Sequence, residues 1–302
     1  MKIVFMGTPD FAVASLHALV EAGFDVAAVV TAADKPAGRG QKVQESAVKQ
    51  YAVSKGIRVL QPLKLKDPMF IDELKNIGAD LQVVVAFRML PELVWNMPGK
   101  GTINLHASLL PQYRGAAPIN HAIINGEKES GVTTFFLKHE IDTGDVIFAE
   151  SVAIGPDETA GELHDKLMNL GAGLLARTVK AIAEDNYTEQ PQQQSDDLKH
   201  APKIFKEDCA IDWNQPAQKI YNKIRGLSPY PAAFTKLNDK TLKIFKAEID
   251  DKEPGIAAGG FLSDGKTFLK FAAKDGFIKF TDLQYEGKKR MKVEEFLRGM
   301  RL

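Results

Sequence analysis

The sequence predicts an α/β domain on a largely parallel sheet, followed by a small all-β domain. Three observations carry this. Over residues 1–110 short apolar runs alternate with amphipathic stretches, the pattern of strands joined by crossover helices. Residues 189–201 (Glu-Gln-Pro-Gln-Gln-Gln-Ser-Asp-Asp-Leu-Lys-His-Ala) are polar and poor in structure formers, as expected of a linker. Beyond them short β-type runs recur, separated by turn pairs such as Asn238-Asp239. A chain of 302 residues has room for two such domains.

Strands are predicted at 2–6, 26–31, 57–61, 81–87 and 102–106, with helices at 10–22, 43–55 and 67–77 between them. Gly131-Val-Thr-Thr-Phe-Phe-Leu137 and Asp145-Val-Ile-Phe-Ala-Glu150 supply two more strands, and a helix at 159–184 closes the domain. Such a domain is Rossmann-like in architecture. The expected boundaries are residues 1–188 for this domain, 189–202 for the linker and 203–302 for the second domain. In the latter, five strands at 232–237, 241–248, 258–263, 267–273 and 276–283 point to a small OB-like barrel, with a last helix at 292–300. No internal repeat is visible.

The 44% hydrophobic and 26% charged content is ordinary for a soluble globular protein. Met1–Gly7 runs straight into a strand without the apolar core and cleavage site of a signal peptide, and no apolar run approaches the roughly 20 residues of a membrane span. The single cysteine, Cys209, excludes an internal disulfide and a Cys-rich zinc site. A cytoplasmic protein is expected. The formal charge of zero hides an asymmetry: residues 203–302 carry 20 Lys and Arg against 14 Asp and Glu, and the preceding residues 19 against 25. A basic second domain fits a polyanionic partner, although a solvated lysine-rich surface accounts for it equally well.

Chemistry concentrates around Gly101-Thr102-Ile103-Asn104-Leu105-His106. In a strand, Ile103 and Leu105 face one way, and Asn104 and His106 the other. An amide and an imidazole then share a face near the C-terminal end of a parallel strand, where open α/β sheets place their sites. The ordinary alternative is a core histidine beside a turn asparagine. The loops Ala107-Ser108-Leu109-Leu110-Pro111 and Arg114-Gly115-Ala116-Ala117-Pro118 expose backbone groups suited to a planar heterocycle or an anion, or simply connect two elements. Ile141-Asp142-Thr143-Gly144-Asp145 sets carboxylates around a turn, and Asp142 beside His106 would orient the imidazole and give it a counter-charge. The six histidines are scattered without metal-ligand spacing, so no metal is expected.

Asn104-x-His106, Ser108-Leu109-Leu110-Pro111 and Asp142-Thr143-Gly144 resemble, in order and spacing, the signature of the formyltetrahydrofolate-dependent formyltransferases. Met6-Gly7-Thr8-Pro9-Asp10-Phe11, Asp34-Lys35-Pro36-Ala37-Gly38-Arg39-Gly40, Arg114–Pro118, Lys206-Glu207-Asp208 with Ile211-Asp212-Trp213, and Arg225-Gly226-Leu227-Ser228-Pro229-Tyr230-Pro231 are similar to the methionyl-tRNA branch of that family. The resemblance covers nearly the whole chain. It implies transfer of a formyl group from 10-formyltetrahydrofolate to the amine of initiator methionyl-tRNA, by a monomer, with Asn104, His106 and Asp142 catalytic. It also implies folate contacts from Ser108, Leu109, Leu110, Pro111, Phe87, Met89 and Leu90, and tRNA contacts from Lys35, Arg39 and Lys42. Two departures stand out: Ala86-Phe87-Arg88-Met89-Leu90-Pro91 replaces the usual Ala-Tyr-Gly ahead of Ile-Leu-Pro, and Lys138-His139-Glu140-Ile141 replaces Met-Asp-x-Gly.

Three other functions remain in view. A formyltransferase for a sugar amine would share the trio but lack the Lys35–Lys42 loop and the basic second domain. An NAD-dependent oxidoreductase would need Gly-x-Gly-x-x-Gly after the first strand, where this chain has Gly7-Thr8-Pro9-Asp10-Phe11-Ala12. A catalytically inert RNA-binding protein would not need the intact trio.

Overall fold

The computed structural model describes residues 1–37, 42–193 and 195–300. They divide into two compact units. The first comprises Met1–Gly115, Gly131–Val152 and His164–Lys199; the second comprises Ala116–Ser130, Ala153–Leu163 and His200–Leu302.

The central sheet has seven strands, in the order Val146–Ala153, Glu129–Phe136, Thr102–His106, Leu81–Val85, Lys2–Gly7, Asp25–Val30 and Arg58–Leu60. Thr102–His106 pairs parallel with Leu81–Val85 and antiparallel with Glu129–Phe136, so parallel pairing ends at the strand bearing Asn104 and His106. The first strand is apolar where it is covered on both faces: Ile3, Val4, Phe5 and Met6 are fully buried.

Local signals set the helices. Asp67 caps Pro68–Ile77 by accepting from the Met69 N–H at 3.0 Å, and left-handed Gly78 ends it. Ser46 caps Ala47–Ser54 through the Lys49 N–H at 3.1 Å. That helix starts four residues later than the sequence predicts, because Lys42–Gln44 is the return strand of a hairpin with Lys35–Ala37. The long helix Ala160–Ala183 matches its expected span within one residue at each end.

The second unit holds an antiparallel half-barrel in the order Ala233–Leu237, Lys240–Asp250, Phe277–Tyr285, Leu269–Ala272 and Phe261–Ser263, with Met291–Lys292 added to Phe277–Tyr285. Asn238 and Asp239, both at positive φ, make the two-residue turn between the first two strands, as their residue types foretell. The sequence reading omits two helices of this unit, Pro118–Ile124 and Ala217–Gly226. Buried Asn222 and Arg225 interrupt the apolar stripe of the latter, while Ile220 and Ile224 still reach the core.

Candidate active site

The first unit brings together the polar residues singled out in the sequence. Ile103 and Leu105 are buried in the core, while Asn104 is half-buried and, among the described residues, its side-chain amide has no hydrogen-bond partner. His106 is only 6% exposed, so its ring nitrogens require partners from the protein. Nε2 lies 2.9 Å from the carbonyl oxygen of Tyr113. A carbonyl only accepts, so Nε2 carries the hydrogen, which leaves Nδ1 as the variable proton site. Nδ1 faces Oδ2 of Asp142 across 3.8 Å, beyond hydrogen-bond reach.

Asp142 sits at φ 56, an uncommon conformation for a residue with a side chain. Its Oδ2 accepts the Gly115 N–H at 3.0 Å. Two residues on, a Cβ on Gly144 would meet the Phe136 carbonyl oxygen at 1.6 Å, so only glycine lets the turn press against that strand. Gln192 donates to the carbonyls of Asp142 and Gly144 at 2.9 and 2.8 Å, and accepts from Arg114 at 3.0 and 2.6 Å. The segment expected to be a loose linker therefore touches the candidate site. Gln190 adds a two-bond bridge to Val146.

Buried Thr133 shapes the loop after His106. Its hydroxyl donates to the Ser108 carbonyl at 2.7 Å and accepts from the Leu110 N–H at 3.1 Å. The Ser108 hydroxyl is committed to the Gln112 carbonyl at 2.6 Å, so it braces the loop rather than presenting a free group. Leu109, Leu110 and Pro111 are half-buried. Thr133, Tyr113 and Gln192 escaped the sequence reading; the two threonines Thr133-Thr134 in an otherwise apolar strand are the one visible signal.

Phe87 and Leu90 pack on the sheet's apolar cluster, and Met89 is 73% exposed. Arg88, the residue departing from the family pattern, donates to the carbonyls of Pro62 and Leu63 and ties this loop to a neighbouring one. Here an open cleft of about 860 Å³ is lined by Leu63, Lys64, Met89, Leu90, Leu93 and Asn96 among others, but by none of Asn104, His106 and Asp142.

Lys35 lies exposed on the hairpin, Lys42 is in its return strand, and Arg39 lies outside the described residues. Asp34 anchors the hairpin's base. Its hydrogen bonds, chiefly from Lys49 and also from Gln61, hold its carboxyl below the usual aspartate range. Among the described residues no group of acidic, histidine and cysteine side chains is arranged to hold a metal ion, and no helix is long and apolar enough to cross a membrane.

A largely parallel sheet sets an amide and a buried imidazole at the end of one strand with a carboxylate from a neighbouring turn, and the chain belongs to the formyl transferase family. The family's model matches residues 1–179, and that of the formyl transferase C-terminal domain matches residues 203–301. The chain is 55% identical over 310 residues to the methionyl-tRNA formyltransferase of Bacteroides fragilis, covering 100% of this chain and 96% of that protein. It is 53% identical over 304 residues to the same-named protein of Flavobacterium johnsoniae, covering 99% and 96%. Among solved structures, an N-formyltransferase from Helicobacter canadensis in complex with folinic acid and dTDP-3-aminofucose superposes with a TM-score of 0.70 at 21% identity, over 96% of this chain and 100% of that one. HypX from Aquifex aeolicus in complex with tetrahydrofolic acid gives 0.68 at 18% identity over 98% of this chain, which spans about half (47%) of HypX. At such identities the structural likeness establishes the fold alone.

Proposed function

We propose that this chain transfers the formyl group of 10-formyltetrahydrofolate to the free amino group of initiator methionyl-tRNA, giving formylmethionyl-tRNA for translation initiation, with Asn104, His106 and Asp142 as the catalytic residues. The single observation that carries the acceptor is identity above 50% with methionyl-tRNA formyltransferases along the whole length, C-terminal part included. The sugar-amine alternative rests on structures near 20% identity, which share only the fold.

The reaction needs a donor for a developing oxyanion and a place for the proton released by the amine. The half-buried Asn104 amide, unpartnered among the described residues, fits the first need. Such prearranged donors are each worth about 3–4 kcal/mol in comparable sites. The Asp142 carboxylate and Nδ1 of His106 fit the second, because Nε2 is already committed to Tyr113. The formyl donor supplies an activated carbonyl carbon. As the amine nitrogen bonds to that carbon, its proton passes toward Asp142 and Nδ1, and Asn104 donates to the charged oxygen. Collapse breaks the bond to the folate nitrogen, which takes up a proton. Ser108–Pro111 with Phe87, Met89 and Leu90 would form the folate's walls.

Lys35, Arg39 and Lys42 would contact tRNA phosphates, and residues 203–302 would add a second basic surface. The enzyme works in this reading as a cytoplasmic monomer. The deciding experiment offers formyltetrahydrofolate with methionyl-tRNA or with a panel of amino sugars and free amines, and follows the formyl group. Transfer to methionyl-tRNA is expected; transfer to an amino sugar alone overturns the assignment.

A further inference from the structure

We propose that Gln192 is a positioning residue for formyl transfer, holding the Asp142 carboxylate opposite His106; this rests on the role given above to Asp142. The sequence offers no hint, since Gln192 lies in a run that looks like linker. In the structure it is half-buried between exposed Pro191 and Gln193.

Its amide is fully used. Nε2 donates to the carbonyls of Asp142 and Gly144 at 2.9 and 2.8 Å, and Oε1 accepts from Nε and Nη2 of Arg114 at 3.0 and 2.6 Å. Two donors and two acceptor sites are all that a glutamine amide has. Reversing the amide would set oxygen against two carbonyls and NH2 against a guanidinium, so one orientation alone is stable. The bonds also close a ring. Arg114 precedes Gly115, whose N–H is received by Oδ2 of Asp142 at 3.0 Å, while the Asp142 carbonyl returns to Gln192. Gln192 thus fixes the backbone that bears the carboxylate relative to the N–H that receives it. Asp142 needs such support, because at φ 56 its backbone is in a region that costs free energy without outside contacts. Loss of the ring would let the carboxylate drift from Nδ1, and displacements near 1 Å in such sites cost up to about a hundredfold in rate.

The test is a double-mutant cycle on the full chain with formyltetrahydrofolate and methionyl-tRNA. Gln192→Leu removes all four bonds at similar volume. Gln192→Glu keeps an acceptor for Arg114 but opposes oxygen to both carbonyls. Each should lower kcat by about tenfold or more with both KM values changed by less than about twofold. In an Asp142→Ala background, Gln192→Leu should cause no further loss, because the residue acts through that carboxylate. A merely structural role predicts the same loss in both backgrounds, and that additivity overturns the proposal. So does a loss confined to KM, or none. The cycle is repeated with Gln192→Asn, which keeps the amide and nearly all the volume, so that a folding defect of the leucine variant does not decide the outcome. Full activity of Asp142→Ala itself would be a separate failure, that of the site reading.

Discussion

Asp142 in the first unit and Asp282 in the second are almost equally buried, with side chains 13% and 12% exposed, yet their surroundings differ in kind. Asp282 receives a two-pronged Arg290 guanidinium at 2.8 and 2.9 Å, with Lys292 a further 3.7 Å away. Asp142 receives one backbone N–H and faces an imidazole nitrogen at 3.8 Å. The Asp282 carboxylate is closed off by its partner; that of Asp142 is held beside an imidazole nitrogen without being bonded to it. Burial alone therefore does not mark the candidate catalytic acid. Geometry separates the two: the Asp282–Arg290 pair is tight and complete, whereas Asp142 and His106 keep a gap.

The largest test of that contrast removes the gap. Asn104→Ala, His106→Ala and Asp142→Ala should each lower turnover by about a hundredfold or more, with melting temperatures near wild type. Steady-state formyl transfer and a thermal melt check both halves. Since all three would act on one reaction step, a double variant should lose far less than the product of the single losses. A folded variant with normal turnover takes its residue out of the mechanism.

Leu110→Asp sharpens the contrast from the substrate side. A charge on the half-buried loop braced by Thr133 should raise the KM for formyltetrahydrofolate by about tenfold and that for methionyl-tRNA much less. Equal rises would instead indicate a distorted fold. A smaller effect is expected from the hairpin. Replacing Lys35, Arg39 and Lys42 together by alanine should weaken methionyl-tRNA use by about fivefold and flatten its log–log salt dependence by about two units, since each phosphate contact contributes about 0.7–0.9. Wild-type salt dependence in that variant would count against tRNA contact by the loop.

Arg290→Ala should leave turnover unchanged and lower stability. Although burial pushes the Asp282 carboxyl up, Arg290 outweighs it and holds the group below its ordinary value of 3.8. Because the guanidinium is 41% exposed, solvent screening limits the pair to about 1–2 kcal/mol. A depressed carboxylate contributes its full stabilisation above its ordinary value and loses it as the pH falls through the depressed one. Melting temperatures of wild type and Arg290→Ala should thus differ at neutral pH and converge in acid below the usual aspartate range. A difference independent of pH would mean that Arg290 contributes by packing over Phe245, 4.2 Å from its ring centre, rather than by charge.

Much of this architecture is legible in the chain because it rests on local patterns. Apolar runs mark strands such as Lys2–Gly7 and Asp25–Val30, Asp67-Pro68 and Gly78 bracket a helix, and Asn238-Asp239 fixes a turn. Asn104, His106 and Asp142 stand in motifs whose spacing survives translation into residue order. What the sequence hides is long-range. Tyr113 contributes a carbonyl, Gly115 an N–H and Gln192 a side chain 50 residues from the Asp142 backbone it supports. A backbone group has no letter of its own, and a glutamine among exposed polar residues looks the same whether it meets water or a turn. The helix Ala217–Gly226 was obscured for a related reason: its Arg225 is buried against Asn222 and the Glu158 carbonyl, so a polar residue stands where an apolar one would be looked for.

The bond from His106 to the Tyr113 carbonyl has a spectroscopic consequence. An imidazole whose Nε2–H is held by a carbonyl cannot pass that proton to Nδ1 without losing the hydrogen bond, so its tautomer is fixed. In a nitrogen-15 spectrum, Nε2 of His106 should show the chemical shift of a hydrogen-bearing nitrogen. The response to substrate or to substitution of Asp142 should then be carried chiefly by the Nδ1 resonance. A single nucleus would thus report directly on the space between histidine and aspartate.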